Sequence, residues 1–283
     1  MIKTLLRNLL VTTSAVFVMA AAPSGNGGRY MDPHVILDDV YKSIDNAKTL
    51  SYIMVYSERL ITGKMHTDSN YVKLQQAPHK IYVKMSDGTQ VLWVADANNN
   101  NAYVHTGSFP HLSMNLDPNG ALMRKDQHHS VTATGYNYFA DVLKQAAKEA
   151  GPGFESHFLF LGEVSYNGTK CYNLQVVVPD FKYVPYTVLK GESVLTIANK
   201  LGVSEYMIME HNNLPSYTSV TEGEVIQVPS TYAKQMTLYI DKTTNLPLYI
   251  AVDDDKGQFE QYIFRNVAVN PALSEQDFSK KNL

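Results

Sequence analysis

An α+β fold is predicted for this chain: a long antiparallel β-meander with two helices, interrupted late by a compact strand–helix–helix–strand unit. Three observations carry that prediction. Tyrosine is frequent, 19 of 283 residues, and lies mostly in short segments that alternate apolar and polar residues between turns, the period-two pattern of half-buried strands. Two stretches, His34 to Ala47 and Asn137 to Ala150, repeat apolar residues at helical spacing instead. Between Tyr186 and Pro229 both periods occur in quick succession.

The first 22 residues read as a secretion signal, not as part of the fold. Lys3 and Arg7 give a positive start, Leu9 to Ala20 is an apolar run, and Val18-Met19-Ala20 offers a small-residue cleavage site. Cleavage after Ala20 is favoured over Ala22, which Pro23 follows. No cysteine follows the site, so no lipid attachment is expected. The run is short for spanning a bilayer, which disfavours an uncleaved anchor.

The first helix places Leu37, Val40, Tyr41 and Ile44 on one face. Strands follow at Ser51–Ile61, Tyr71–Gln75, Lys80–Met85, Val91–Ala95 and Ala102–Thr106, with Asn98 to Asn101 as a turn. The second helix turns Phe139, Val142, Leu143 and Ala146 inward, and Gly151-Pro152 ends it. Strands resume at Phe158–Tyr166 and Cys171–Val178 around Asn167-Gly168, a strong hairpin signal. After the compact unit come Gln235–Asp241, Leu246–Val252 and Gln258–Val267, joined by Thr243-Thr244-Asn245 and Asp255-Lys256-Gly257.

In the compact unit, Tyr186-Thr187-Val188 begins a strand that stops at Lys190-Gly191. Ser193 is an N-cap, its hydroxyl positioned to accept from an orphan amide of the first turn. Val194, Ile197, Ala198 and Leu201 form an apolar stripe, and Gly202 closes the helix where a left-handed residue is wanted. Ser204 caps a second helix whose Ile208 and Met209 face the same small core. Gly223 turns the chain into Val225-Ile226-Gln227-Val228, ended by Pro229.

The elements YTV, KGES, IANKLGVS, HNNL and EGEVIQVP in this order resemble the lysin motif (LysM), a small carbohydrate-binding module. The resemblance implies binding of N-acetylglucosamine polymers, peptidoglycan or chitin, in a shallow groove between two loops. Carried onto this chain, the loops are Gly191, Glu192, Ser193, Val194 and Leu195, and Asn213, Leu214, Pro215 and Ser216. Glu192 stands where Asp is usual, and Glu205 and His211 where the second helix more often has apolar residues; these departures can weaken or redirect sugar binding. Ser193 and Gly191 also serve the fold, so a module that had lost its sugar would keep them.

The tail from Leu238 to Phe278 is similar to the end of the LolA-like lipoprotein-carrier superfamily, and within it to a bacterial domain family of unknown function. It shares a strand–Asp–turn–Leu-Pro-Leu pattern, two more strands, then Asn-Pro and a closing Asp-Phe. The resemblance implies a curved antiparallel half-barrel plugged by helices. The expected organisation is a discontinuous LolA-like domain at 23–181 and 231–283, with the LysM unit at 182–230 inserted in a hairpin.

A formal net charge of −3 argues against nucleic acid, which needs a clustered basic face. The single cysteine, Cys171, forms no internal disulfide, and its mid-strand place lacks the helix N-terminus that activates a thiol. His128-His129 is the only adjacent histidine pair; neighbours on a strand point to opposite faces, no HxxxH or HExxH occurs, and a solvated loop is expected. Asp253-Asp254-Asp255 lacks the spaced ligands of a calcium loop and reads as a solvated turn. No catalytic residue, metal site or cofactor is expected. The expected function is an exported, periplasmic, non-catalytic peptidoglycan-binding protein. The alternative is a lipid or lipoprotein-acyl carrier using the half-barrel concavity, and a wall-remodelling enzyme is a third class with no supporting motif.

Overall fold

The computed structural model describes residues 30–283, so the expected secretion signal lies outside the described residues. Helix α1 (Pro33–Asn46) is capped by Asp32, whose side chain accepts from the His34 amide at 2.9 Å. Strands β1 (Thr49–Arg59), β2 (Met65–Gln75), β3 (Lys80–Met85), β4 (Gln90–Val94), β5 (Ala102–His105) and β6 (Ser113–Leu116) form a continuous meander. Helix α2 (Tyr136–Ala150) and the single turn α3 (Phe154–His157) lead into β7 (Phe158–Tyr166) and β8 (Thr169–Val177). Asn167 and Gly168 both take positive φ, 49° and 83°, as a two-residue hairpin matched to strand twist requires.

Four elements then form a separate layer: β9 (Tyr183–Thr187), α4 (Val194–Leu201), α5 (Glu205–Asn212) and β10 (Val225–Pro229), with β9 and β10 paired antiparallel. Strands β11 (Gln235–Asp241), β12 (Pro247–Asp254) and β13 (Gly257–Val269) complete the main sheet. Its order is β6-β5-β4-β3-β2-β1-β13-β12-β11-β8-β7, antiparallel throughout. Strands β6 and β7 are its two edges and do not pair, so the sheet stays open.

One face of the sheet is covered by the helices. Val40 and Ile44 of α1 and Tyr136, Phe139 and Leu143 of α2 share a core with Leu50, Tyr52, Val72, Leu74, Leu238 and Ile250 from the strands. The strands were foreseen to within a few residues, with two exceptions. β6 was missed, because Ser113-Met114-Asn115-Leu116 is too short to show alternation. β2 starts at Met65, not Tyr71, because its first half runs past the core and is polar.

β8 and β11 are paired neighbours, Val177 opposite Gln235, and the four-element layer departs from and returns to this one hairpin. The crossing is stitched twice: the Val178 amide donates to the Lys234 carbonyl at 2.8 Å, and the Ser230 amide to the Lys182 carbonyl at 2.8 Å. Ends that emerge side by side let a hairpin carry an insertion without separating its strands.

Two expectations are corrected. His128 is fully buried and His129 nearly so, instead of lying in a solvated loop, because carboxylates remote in sequence fold onto them. Asp254 is also buried, at the end of β12 and not in a solvated turn, because Arg59 neutralises it.

Candidate functional site

The inserted unit has its own small core of Val188, Val194, Ile197, Ala198, Ile208, Met209, Ile226 and Val228. Ser193 accepts from the Thr196 amide, and Thr196 Oγ1 accepts in return from the Ser193 amide, a reciprocal cap. Gly202 ends α4 with φ 68°, and Ser204 caps α5 by accepting from the Met207 amide. Asn212 uses its carboxamide to bridge α5 to β10, accepting from the Gln227 amide and donating to the Gln227 carbonyl.

The two candidate loops meet. The Val194 amide donates to the Tyr217 carbonyl at 2.9 Å, so the start of α4 lies against the segment that follows α5. Of the nine expected residues, Val194 and Leu214 turn their side chains into the core, and the Val194 amide is already spent. Ser193 is spent in the cap. The Glu192 carboxylate accepts from the Leu189 amide, the Tyr186 hydroxyl and Lys200 Nζ, and those contacts, the amide foremost, hold its pKa below the usual carboxylate value. Gly191, Asn213 and Pro215 are exposed and Leu195 and Ser216 half-exposed, which makes these five the most accessible of the nine.

Helix α5 belongs to two cores at once. Ile208 and Met209 pack into the inserted unit, whereas Tyr206 and Met207, at 2% and 0% exposure, pack into the core of the main sheet. A helix buried on both sides shows no single apolar stripe. Burying each such side chain is worth about 1.5–3 kcal/mol, so the contact is a firm joint.

Charges complete the joint. Arg59, at the end of β1, donates from Nε and Nη2 to Glu210 of α5 at 3.1 and 3.0 Å, and from both Nη atoms to Asp254. Paired with two acids, its pKa is held above the usual arginine value although burial opposes this. Arg124, in the segment between β6 and α2, binds Glu205 Oε1 at 2.9 Å and the Tyr217 hydroxyl at 3.0 Å. Glu205 thereby gains a structural role, and His211 stacks on Tyr183 with ring centroids 3.6 Å apart.

Beneath α5, His128 is stacked between Tyr206 and Phe259 at 4.2 and 4.1 Å. Ligand atoms of Glu58, His128 and Glu260 lie within 4.8 Å of one another, a grouping that invites comparison with a metal site. The hydrogen bonds point elsewhere. His128 Nδ1 faces Glu260 Oε2 and Nε2 faces the Arg59 carbonyl, each at 2.9 Å. Both ring nitrogens are thus already engaged by oxygen acceptors of the protein, and neither is left pointing at a position shared with the two carboxylates. Tyr262 and Tyr232 donate to Glu58 and Glu260, each at 2.6 Å. Burial favours protonation of Glu260, but His129 and His128 outweigh it and hold the pKa far below the usual range. Burial likewise opposes charge on His129, and Glu260 overrides it, raising that pKa. The cluster is a strut that fixes the segment carrying Arg124.

Sequence reading missed Arg59, Arg124, Glu210 and Tyr217, because their partners lie far away along the chain. One signal was present: α5 combines Tyr206, Met207, Ile208 and Met209 with flanking Glu205 and Glu210, too apolar all round for a one-sided helix.

Residues 186–229 match the family model "LysM domain", and residues 48–186 match "Protein of unknown function (DUF1571)". The second match covers the N-terminal strands and runs up to the start of the inserted unit. Among solved structures, a DUF1329 family protein from Desulfovibrio piger aligns at 13% identity and TM-score 0.36, over 89% of this chain and 100% of that one. The MucA/MucB complex of Pseudomonas aeruginosa aligns at 14% and 0.41, over 88% of this chain and 61% of that one. A LolA superfamily protein from Nitrosomonas europaea aligns at 7% and 0.32, over 90% and 100%. No curated protein matches. A LysM match implies glycan binding, and no helix among the described residues is long and apolar enough to cross a membrane. This chain carries a LysM domain at residues 186–229, set between two strands of an open antiparallel sheet.

Proposed function

We propose that this is an exported, non-catalytic peptidoglycan-binding protein of the periplasm. A LysM unit at 182–230 holds a discontinuous sheet domain, 23–181 and 231–283, at the wall. The observation that supports it best is the meeting of the two loops through Val194 and Tyr217, which leaves Gly191, Leu195, Asn213, Pro215 and Ser216 turned toward a ligand. N-acetylglucosamine units would be held by backbone groups and short side chains of these loops. Export rests on the charged start and apolar run of the first 22 residues. A shallow single site implies weak affinity, on the order of µM to mM.

Deleting the LysM unit is a poor test, because removing α5 would strip Tyr206 and Met207 from the main core and unpair Arg59. Titration with chitooligosaccharides and muropeptides, followed by amide resonances, is better. Shifts are expected at 191–195 and 213–216, and Pro215→Glu should abolish them without changing the rest of the spectrum. Unmoved resonances in the wild type would refute the reading.

The carrier alternative needs a hollow interior. The void between the helices and the sheet, lined by Met54, Val83, Val91, Tyr138 and Phe264 among others, measures about 80 Å³. Sites that enclose small molecules run to about 300–1,000 Å³, so the interior favours the tether. Lipid copurifying at one equivalent, seen by mass spectrometry, would reverse that preference.

A further inference from the structure

The LysM unit does not stand clear of the sheet domain. Between them lies a cleft of about 730 Å³, larger than the interior void and walled by both parts. Helix α4 supplies Leu195, Ala198, Asn199 and Gly202, one stripe along its length. The facing wall comes from the segment between β6 and α2 and from α2 itself. At the C-terminal end of α4 the two walls come together: a Cβ at Gly202 would stand 3.1 Å from Gln145 of α2.

At the other end the cleft joins the candidate groove. Leu195 belongs to the first loop and also lines the cleft. Tyr217 holds the first loop by its carbonyl and reaches Arg124, in the cleft wall, with its hydroxyl. The lining chemistry is that of a hydroxyl- and amide-reading surface. Asn119, Asn137 and Gln145 on the sheet-domain side and Asn199 on α4 contribute carboxamides to the lining, with Asn137 paired to Gln76 and Gln145 donating to Glu149, and Leu195 and Ala198 add apolar surface. Arg124 is paired with Glu205, and Asp141, which also lines the cleft, lies 3.7 Å from Lys144, so the charges of the wall are each paired with a neighbour.

We infer that this cleft is an extension of the glycan site, taking further acetamido-sugar units of the strand whose end lies in the LysM groove. The inference rests on the glycan-binding reading above and adds a prediction that the reading does not make. A site confined to the two loops can hold only as many sugar units as span them, so its affinity would level off once that stretch is filled. Here the strand leaves the groove past Leu195 and meets carboxamides on both sides, so affinity keeps rising with chain length.

The test is calorimetric titration of the full protein with N-acetylglucosamine oligomers from dimer to octamer, comparing wild type with Asn119→Ala/Asn199→Ala. Both asparagines are exposed, so the fold should tolerate their loss. For wild type, the octamer is expected to bind at least about tenfold more tightly than the tetramer, a difference of about 1.4 kcal/mol. The double variant should lose that gain and keep wild-type affinity for the shortest oligomer that binds. Equal affinity for tetramer and octamer, or a double variant that retains the full length dependence, overturns the extension while leaving the loop site intact. No binding of any oligomer overturns the loop site itself, and the extension with it.

Discussion

Replacing Arg59 by methionine should destabilise this protein more than any other single charge removal at the joint. Its guanidinium is 7% exposed and meets Glu210 at 6% and Asp254 at 0%. Nη1 also donates to the Gln258 carbonyl at 3.2 Å. Methionine keeps the apolar stem but leaves two carboxylates facing each other out of water. Removing one partner of a buried pair costs about 3–5 kcal/mol. Lys256 Nζ stands 3.4 Å from Glu210 and relieves part of that penalty, so a value near the lower end, about 3 kcal/mol, is expected. For a protein of this size that corresponds to a fall in Tm of about 6–12 °C, readable by circular dichroism. The triple variant Arg59→Met/Glu210→Gln/Asp254→Asn should recover most of the loss, because replacing a whole buried ionic group is often close to neutral. A single variant that melts within about 2 °C of wild type, or a triple variant no better than the single, would refute the argument that these charges hold the joint.

Three smaller predictions concern other contacts. Tyr206→Ala removes a buried ring stacked on His128 and the hydroxyl that accepts from the Ile61 amide at 3.0 Å; a loss of about 3–5 kcal/mol is expected in denaturant unfolding. Tyr217→Phe deletes the hydroxyl partner of Arg124 while keeping the ring under the guanidinium, 4.5 Å away, and should cost about 1 kcal/mol with no change in affinity for the shortest sugar that binds. Asp277 has its pKa lowered from 3.8 to about 2, first by Lys73 and then by the Ser274 amide. A carboxylate depressed on folding contributes stability above its unfolded pKa and loses it as pH falls toward the folded value. Asp277→Asn should therefore flatten the stability curve between about pH 4 and pH 2, by less than about 1 kcal/mol because the pair is partly solvated.

The sheet was legible because local signals wrote it. Asn167-Gly168 fixed a hairpin, Gly151-Pro152 ended a helix, and alternating tyrosines marked strands. The LysM unit was legible for the same reason, since its caps at Ser193 and Ser204 and its turn at Gly223 are all local. What escaped was the joint. Arg59 finds Glu210 across 151 residues and Asp254 across 195, and no periodicity records such a partnership. His128 and Asp254 were read as solvated for that reason: a polar residue looks exposed until its neutralising partner is known. At the candidate loops, 191–195 and 213–216, sequence did not reveal that Val194 and Ser193 spend their polar groups on the fold.

Helix α5 makes the LysM unit a poor cassette. A second helix that lacked Glu210 would leave Arg59 with Asp254 alone, and one that lacked Tyr206 and Met207 would leave a hollow in the main core. The two halves of this chain are expected to change together, residue against residue, along one helix.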